Sequence, residues 1–364
     1  MNFLLHSYSI LFILSILSIV AALNATKTYC LPSSPCFPSP QDLQKFNTSV
    51  GGRLIKTVPY GAVCYEGSYD EEACRELLLR KAEAGFRLRL PGALMSANWE
   101  MDGEEGCPVP VPLNESVGAV GPVKGKCELG GMSSYIVNAS CPLDVAKTVN
   151  FAAKWKLRFR VKNTGHDATG RSAGKGTFAV WTHYMNRMVW HDTFTLPGPR
   201  KSCGKTKFSR VIEAGPGVLT QALNEFAWKH GAVVVGAFCP SVGITGGWLL
   251  GGGLGWFSPV YGMGVDNVLM FEVVTADGRI RRVNKCQEED LFWALRGGGG
   301  AFGVMTRVWY QAHPEPQGVG YFVGQVDCKG NGTAFAEAVG RMVDLQVPLR
   351  GQGHTVRLPP LPCS

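Results

Sequence analysis

The chain has 364 residues, 45% of them apolar, and 36 Lys and Arg against 28 Asp and Glu give a net charge of +8. That length allows two domains, or one large and one partial domain, with enough apolar material for a sizeable core. The positive excess is spread along the chain with no Lys/Arg block, which argues against a nucleic-acid-binding protein, and no apolar run reaches the roughly 18 residues that read as a membrane span.

The N-terminus reads as a targeting segment. Ile10 to Ala22 is an apolar run of signal-peptide length ending in Val20-Ala21-Ala22, although no Lys or Arg precedes it. Residues 1–22 are therefore expected to be a signal peptide and the protein to be secreted. Glycosylation sequons at Asn24, Asn47, Asn114, Asn138 and Asn331 agree with that, on the expectation that they lie at the surface. The 12 cysteines are dispersed rather than gathered in CxxC pairs, a pattern of disulfides rather than of zinc. Cys30/Cys36 and Cys64/Cys74 are close enough to pair locally; the remaining connectivity is not encoded in spacing.

Residues 23–130 form an extension rich in Cys, Pro and Gly. Tyr69 to Glu83 is its one clear helix, with Ala73, Leu77 and Leu78 at helical spacing. The main domain is expected over 131–316. It starts with a short strand at Tyr135–Asn138, then a helix capped by Ser140 and opened by Pro142, running to Trp155 with Val145, Val149 and Ala153 on one face. Leu157 to Val161 alternates apolar and charged residues as a half-buried strand does, and Thr177–Trp181 is a further strand. The order then repeats: a strand at Phe208–Ala214, a helix at Val218–Lys229 with Leu219, Leu223 and Phe226 as its apolar stripe, and a buried strand at Ala232–Gly236. A hairpin spans Phe271–Val283 around Asp277-Gly278, a helix Leu291–Leu295, and a last strand Gly303–Gln311. Helices and strands in this order give an α+β domain. Arg279, Arg281 and Arg282 are expected on a solvated face, and Trp248, Trp256 and Trp293 in the core.

Two stretches carry candidate chemistry. Asn163-Thr-Gly-His-Asp-Ala-Thr-Gly-Arg-Ser172 breaks the strand period as a loop, with Gly165 and Gly170 free to take positive φ, and such a loop can turn backbone N–H groups toward a diphosphate. His166 sits in its middle. Cys239 opens a glycine-rich stretch to Gly255, in which glycines let the backbone approach a ligand closely. Taken alone, His166 could be a polar turn residue and Cys239 half of a disulfide. Gly298-Gly-Gly-Ala-Phe-Gly303 fits the dinucleotide fingerprint, but it follows a helix and precedes a strand. The fingerprint requires the reverse order, so a nicotinamide dehydrogenase is excluded.

Three blocks, Lys162–Ser172, Cys239–Gly255 and Asp290–Val304, resemble the vanillyl-alcohol-oxidase/PCMH-type flavoproteins, in their secreted fungal berberine-bridge-like and 6-hydroxynicotine-oxidase-like branch. The resemblance implies a two-subdomain PCMH-type FAD-binding domain over 131–316. It implies an incomplete substrate domain from 317, with 351–364 as an aberrant tail of a truncated gene product and apolar surface exposed where the rest should pack. By resemblance, Asn163, Thr164, Gly165, Asp167, Gly170 and Ser172 lie at the diphosphate of FAD. Val242, Gly243, Gly246, Gly247, Gly251, Gly252 and Gly253 lie along its ADP and flavin, and Val304 near the adenine. His166 and Cys239 match the two residues that tether flavin covalently in doubly linked members. The implied function is a secreted, monomeric oxidase that passes a hydride from a small alcohol, amine or sugar to FAD and then electrons to O2, giving hydrogen peroxide. The alternative is a non-catalytic flavin-binding fragment. Neither the substrate nor the catalytic base is named by the sequence.

Overall fold

The computed structural model describes residues 29–95, 100, 105–108, 121–199, 203–318 and 332–351. The signal-peptide segment, the sequons at Asn24, Asn114 and Asn331, and the tail beyond residue 351 lie outside them.

Two sheets organise the molecule. The first takes four strands in the order β1-β2-β4-β3: β1 (Leu54–Lys56), β2 (Tyr135–Asn138), β3 (Phe159–Lys162) and β4 (Phe178–Trp181). Strands β2, β4 and β3 run parallel, and β1 pairs antiparallel with β2. The second sheet has five antiparallel strands in the order β5-β6-β10-β8-β9: β5 (Met188–Thr195), β6 (Lys207–Ala214), β8 (Val268–Val274), β9 (Ile280–Val283) and β10 (Val304–Gln311). A bridge of β7 (Ala232–Val233) with β11 (His313–Pro314) completes the pairing. The mixed helix–sheet architecture is the α+β one expected. The strand at β5 was not expected: Met-Val-Trp-His-Asp-Thr-Phe-Thr has no clean alternation, and its place on the sheet edge comes from pairing with β6. The expected strand Ala232–Gly236 shrinks to two residues, although Val234 and Val235 remain buried.

Helices cover the sheets. Helix α1 (Pro40–Ser49) carries a capping box between Ser39 and Asp42 and puts Phe46 and Val50 against Phe151, Ala152 and Phe178. Helix α2 (Glu71–Arg80) is capped by Asp70 and is tied by Cys64–Cys74 into a small core of its own. Both belong to the extension, which therefore does cover the first sheet and lends it β1. Helix α3 (Pro142–Lys154) has Cys141, not Ser140, at its N-cap position. The Ser140 hydroxyl and amide instead hold Asp144, whose carboxylate also takes Arg53. Its buried stripe is Val145, Val149 and Ala152 rather than Ala153, which faces solvent. Helices α4 (Thr220–Trp228) and α5 (Glu289–Leu295) pack on the second sheet through Leu223, Ala227, Phe292 and Leu295, in a core shared with Phe271, Val273, Val308 and Tyr310. Helix α6 (Gly332–Gly351) stands in the region expected to begin a substrate domain.

Among the described residues, disulfides join Cys30–Cys36, Cys64–Cys74, Cys107–Cys127 and Cys203–Cys286. The first two are the local pairs expected. Cys141 is a free thiol and Cys239 is disulfide-bonded, which inverts the expectation that Cys239 stands outside the disulfides. No helix of the described residues is long and apolar enough to cross a membrane. Of the described sequons, Asn138 is a β2 residue with a buried side-chain oxygen, and the Asn47 side chain accepts from the Leu54 amide. Neither is the open surface loop the motif suggested.

Candidate functional site

The site forms where the first sheet's parallel strands end. In open parallel sheets, the crevice beyond the carboxyl ends of the strands is where ligands bind. Strand β3 delivers the loop 163–172 there, and β4 delivers Thr182 and His183 beside it. The loop is shaped from within. Gly165 and Gly170 have φ of +81° and +72°, and the Asp167 carboxylate accepts from the Thr169 amide at 3.1 Å, the Thr169 hydroxyl at 2.8 Å and the Ser172 amide at 2.6 Å. Burial opposes the Asp167 charge, but these donors outweigh it and hold the carboxyl below its ordinary range. The amides of Gly165, His166 and Ala168 donate no hydrogen bond among the described residues.

Asn163 joins the two halves of the domain. Its side-chain amide donates to Pro216 O at 2.6 Å, and its backbone carbonyl accepts from the Trp181 indole at 2.8 Å. Gly243 and Gly246 press directly on that amide, so a Cβ at either would overlap it. The Asn163 Oδ1 is left buried without a partner. A buried acceptor with nothing to accept is a position where a ligand hydroxyl fits.

His166 lies over the second half of the domain, its Nε2 2.9 Å from Ser241 Oγ. Burial drives its pKa down to about 4, so the ring is neutral at ordinary pH. With its proton on Nε2, donated to Ser241, the Nδ1 lone pair is free for a bond to carbon. Through Ser241, His166 lies next to the Cys239–Gly255 stretch. Cys239 itself differs from the expectation: its sulfur is in a disulfide, and only a thiolate can attack a flavin ring.

The remaining expected residues divide. Thr164 and Gly165 are buried at the loop, and Val242 and Gly243 are held by Val242 O accepting from the Thr220 amide. Gly247 is exposed with open space where a Cβ would go. In the run Gly251–Gly253, a Cβ at Gly253 would strike the Trp248 indole, whereas Gly251 is exposed. Val304 is buried among Val145, Val149, Val180 and Val274 between the sheets. His183, Lys162 and Pro216–Gly217 were not expected at the site. A His next to a strand end gives little signal until the neighbouring strand is known.

The tryptophans correct one expectation, and the arginines meet theirs. Trp248 is packed on the core, but Trp256 is 39% and Trp293 75% exposed. Trp293, with Lys285 and Arg296, lines a cavity of about 590 Å3 that contains no residue of the His166 loop. Arg279 and Arg282 are exposed, as expected, and Arg282 also pairs with buried Glu272. After Gly253, Leu254, Trp256, Val260 and Met263 are exposed apolar residues.

Residues 133–284 match the FAD binding domain family. Among curated proteins, the chain is 38% identical over 317 residues to the FAD-linked oxidoreductase easE of Trichophyton verrucosum, covering 86% of this chain and 51% of that one. It is 33% identical over 331 residues to the FAD-linked oxidoreductase patO of Penicillium expansum, covering 90% and 54%. The chain thus spans about half the length of the curated relatives it matches. Two solved structures from Myceliophthora thermophila share its fold. The VAO-type flavoprotein MtVAO615 has 35% identity and a TM-score of 0.69, over 79% of this chain and 49% of that one. The VAO-type flavoprotein MtVAO713 has 27% identity and a TM-score of 0.74, over 89% and 56%. Residues 133–284 are thus similar to the FAD-binding domain of VAO-type FAD-linked oxidoreductases, in a chain that spans about half the length of those relatives.

Proposed function

We propose that this chain is the cofactor-holding part of a secreted FAD-dependent oxidase, with the flavin tethered covalently through His166 alone. Bound FAD would accept a hydride from a small alcohol, amine or sugar and pass the electrons to O2, giving hydrogen peroxide. The observation that carries the reading is His166 itself: a neutral imidazole with Nε2 held by Ser241, in a loop whose Gly165, His166 and Ala168 amides donate no hydrogen bond among the described residues. The loop 163–172 would bind the diphosphate through those amides. Asn163 would keep the two halves of the crevice at a fixed spacing, and Gly243 and Gly246 would keep it narrow enough to exclude water from the ribityl chain. The disulfide at Cys239 argues against a second tether. The disulfides of the extension support secretion, since such bonds persist in oxidising compartments.

The test is to precipitate the secreted protein with acid, wash it, and map flavin on its proteolytic peptides. Flavin on the His166 peptide, with the Cys239 peptide still in a disulfide, supports the single tether. Flavin joining both peptides restores the double one. Flavin released intact by acid refutes a covalent bond while leaving the FAD site standing. A second reading is flavin binding without turnover. Its mark would be a flavin-loaded protein that forms no hydrogen peroxide from any alcohol, amine or sugar.

A further inference from the structure

We propose that His183 is a further FAD-binding residue, its Nδ1–H donating one hydrogen bond to the diphosphate of the cofactor. The proposal rests on the FAD reading above. His183 is 9% exposed, and its Nδ1 is buried with no partner in the structure. Such an atom loses its water on folding and gains nothing in return unless a ligand supplies the bond. Its position directs that bond. Strands β3 and β4 are parallel neighbours, paired from Phe159↔Phe178 to Lys162↔Trp181, so His183 leaves β4 at the same sheet edge from which the 163–172 loop leaves β3.

The ring is also held still. It stacks at 5.9 Å and 15° on Trp181 and meets the edge of Tyr184 at 4.9 Å. Trp181 is pinned in turn by its bond to Asn163 O and by Lys162, whose ammonium lies 4.8 Å over the indole. The His183 carbonyl packs against Gly217 so closely that a Cβ there would overlap it, and the next residue back, Pro216, takes the Asn163 amide. Asn163 and His183 therefore both touch one turn, Pro216–Gly217, and each carries one buried side-chain atom without a partner. Their chemistries are complementary. An amide oxygen can only accept and suits a ribityl or ribose hydroxyl, while an imidazole N–H donates and suits a phosphate oxygen. FAD offers both along one chain. Burial, and after it the nearby Lys162 charge, lowers the His183 pKa to about 4, so the donor works as a neutral group.

The experiment uses the His166→Ala chain, in which any tether is absent and binding is reversible. FAD, ADP and riboflavin are titrated into it, into a His183→Phe derivative that keeps the stacked ring, and into a His183→Asn derivative that returns a donor near Nδ1. The expected result is that His183→Phe weakens FAD and ADP by about tenfold or more and leaves riboflavin unchanged. His183→Asn should recover most of the loss. Equal FAD and ADP affinity in parent and His183→Phe overturns the assignment. Loss of riboflavin to the same degree also overturns it, because the ring would then act on the shape of the fold. If His183→Phe does not fold, His183→Gln, with its amide near the Nε2 position, is compared with His183→Asn, and equal affinities overturn the proposal. A parent that binds no FAD overturns the cofactor reading and this assignment with it.

Discussion

His166 and His183 are both buried on folding and both have their pKa driven from the ordinary 6.5 down to about 4. Their neutral forms are the ones the fold accommodates, so the unfolded chain binds more protons than the native one between those values. Stability is full above about pH 6.5 and falls as pH drops toward 4. Urea unfolding at pH 7.5, 6 and 5 should show a declining midpoint, and His183→Phe should flatten part of that decline. Asp144 adds a second acid-sensitive point. Burial resists its charge, but the Ser140 amide, Arg53 and the Ser140 hydroxyl overcome this and keep its pKa below 3.8. Its contribution is present above about pH 4 and lost as pH falls below that. Gly246→Ala tests the other residue-scale contact. The new methyl would push the Asn163 amide off Pro216 O, and a loss of about 1–3 kcal/mol is expected from overpacking, read by urea unfolding alongside weakened FAD binding.

At the scale of elements, two arrangements stand out as more than the sum of local propensities. A ladder of alternating charge crosses four strands of the second sheet, Glu213 on β6, Arg307 on β10, Glu272 on β8 and Arg282 on β9, and His191 on β5 lies 3.2 Å from Glu213 at its end. Glu272 is its buried rung, at 7% side-chain exposure, and also accepts from Thr306 Oγ1. Glu272→Gln leaves two guanidinium groups facing each other across a neutral amide. Chemical denaturation should show a loss of about 1–3 kcal/mol, and a Glu272→Gln, Arg282→Met pair should recover part of it. The second arrangement couples the extension to the site. Lys162, 1% exposed on β3, donates to Leu90 O and Pro91 O, and the extension's buried Arg87–Glu100 pair holds Leu94 O through Arg87 Nε. Leu94 packs under Gly165, and the Met95 amide donates to Gly165 O. The extension is thus the floor of the diphosphate loop. Lys162→Met should raise hydrogen exchange at residues 87–95 and at Met95 in particular; unchanged protection would show that Leu94 packing alone is enough.

Across the whole molecule, the covalent framework has two kinds of tie. Cys30–Cys36 and Cys64–Cys74 close loops of 6 and 10 residues inside the extension, whereas Cys203–Cys286 joins positions 83 apart, next to β6 and after β9. Loop-closure entropy grows with loop length, so the long tie constrains the unfolded chain most. Replacing Cys203 and Cys286 together with serine is expected to cost about 4 kcal/mol, and thermal unfolding of that double variant should fall below that of a Cys30→Ser, Cys36→Ser variant.

Much of this protein was set by local sequence. The glycines that give the loop positive φ, the Asp277-Gly278 hairpin and the short-range disulfides are each decided within about a dozen residues, and each stands in the structure as the sequence predicts. The helix-before-strand order around Gly298–Gly303 is equally local. What tertiary structure alone decided concerns partners. Strand β5 exists because β6 offers it an edge, and Ser140 leaves its capping role because Arg53, 91 positions from Asp144, fixes that carboxylate. Whether Cys239 or Cys141 stays a thiol depends on which sulfur the fold brings near. His183 becomes a site residue only because β4 lies parallel to β3. Periodicity and turn chemistry are short-range and remain visible in a sequence, whereas burial and pairing depend on contacts between distant positions, which no local pattern records.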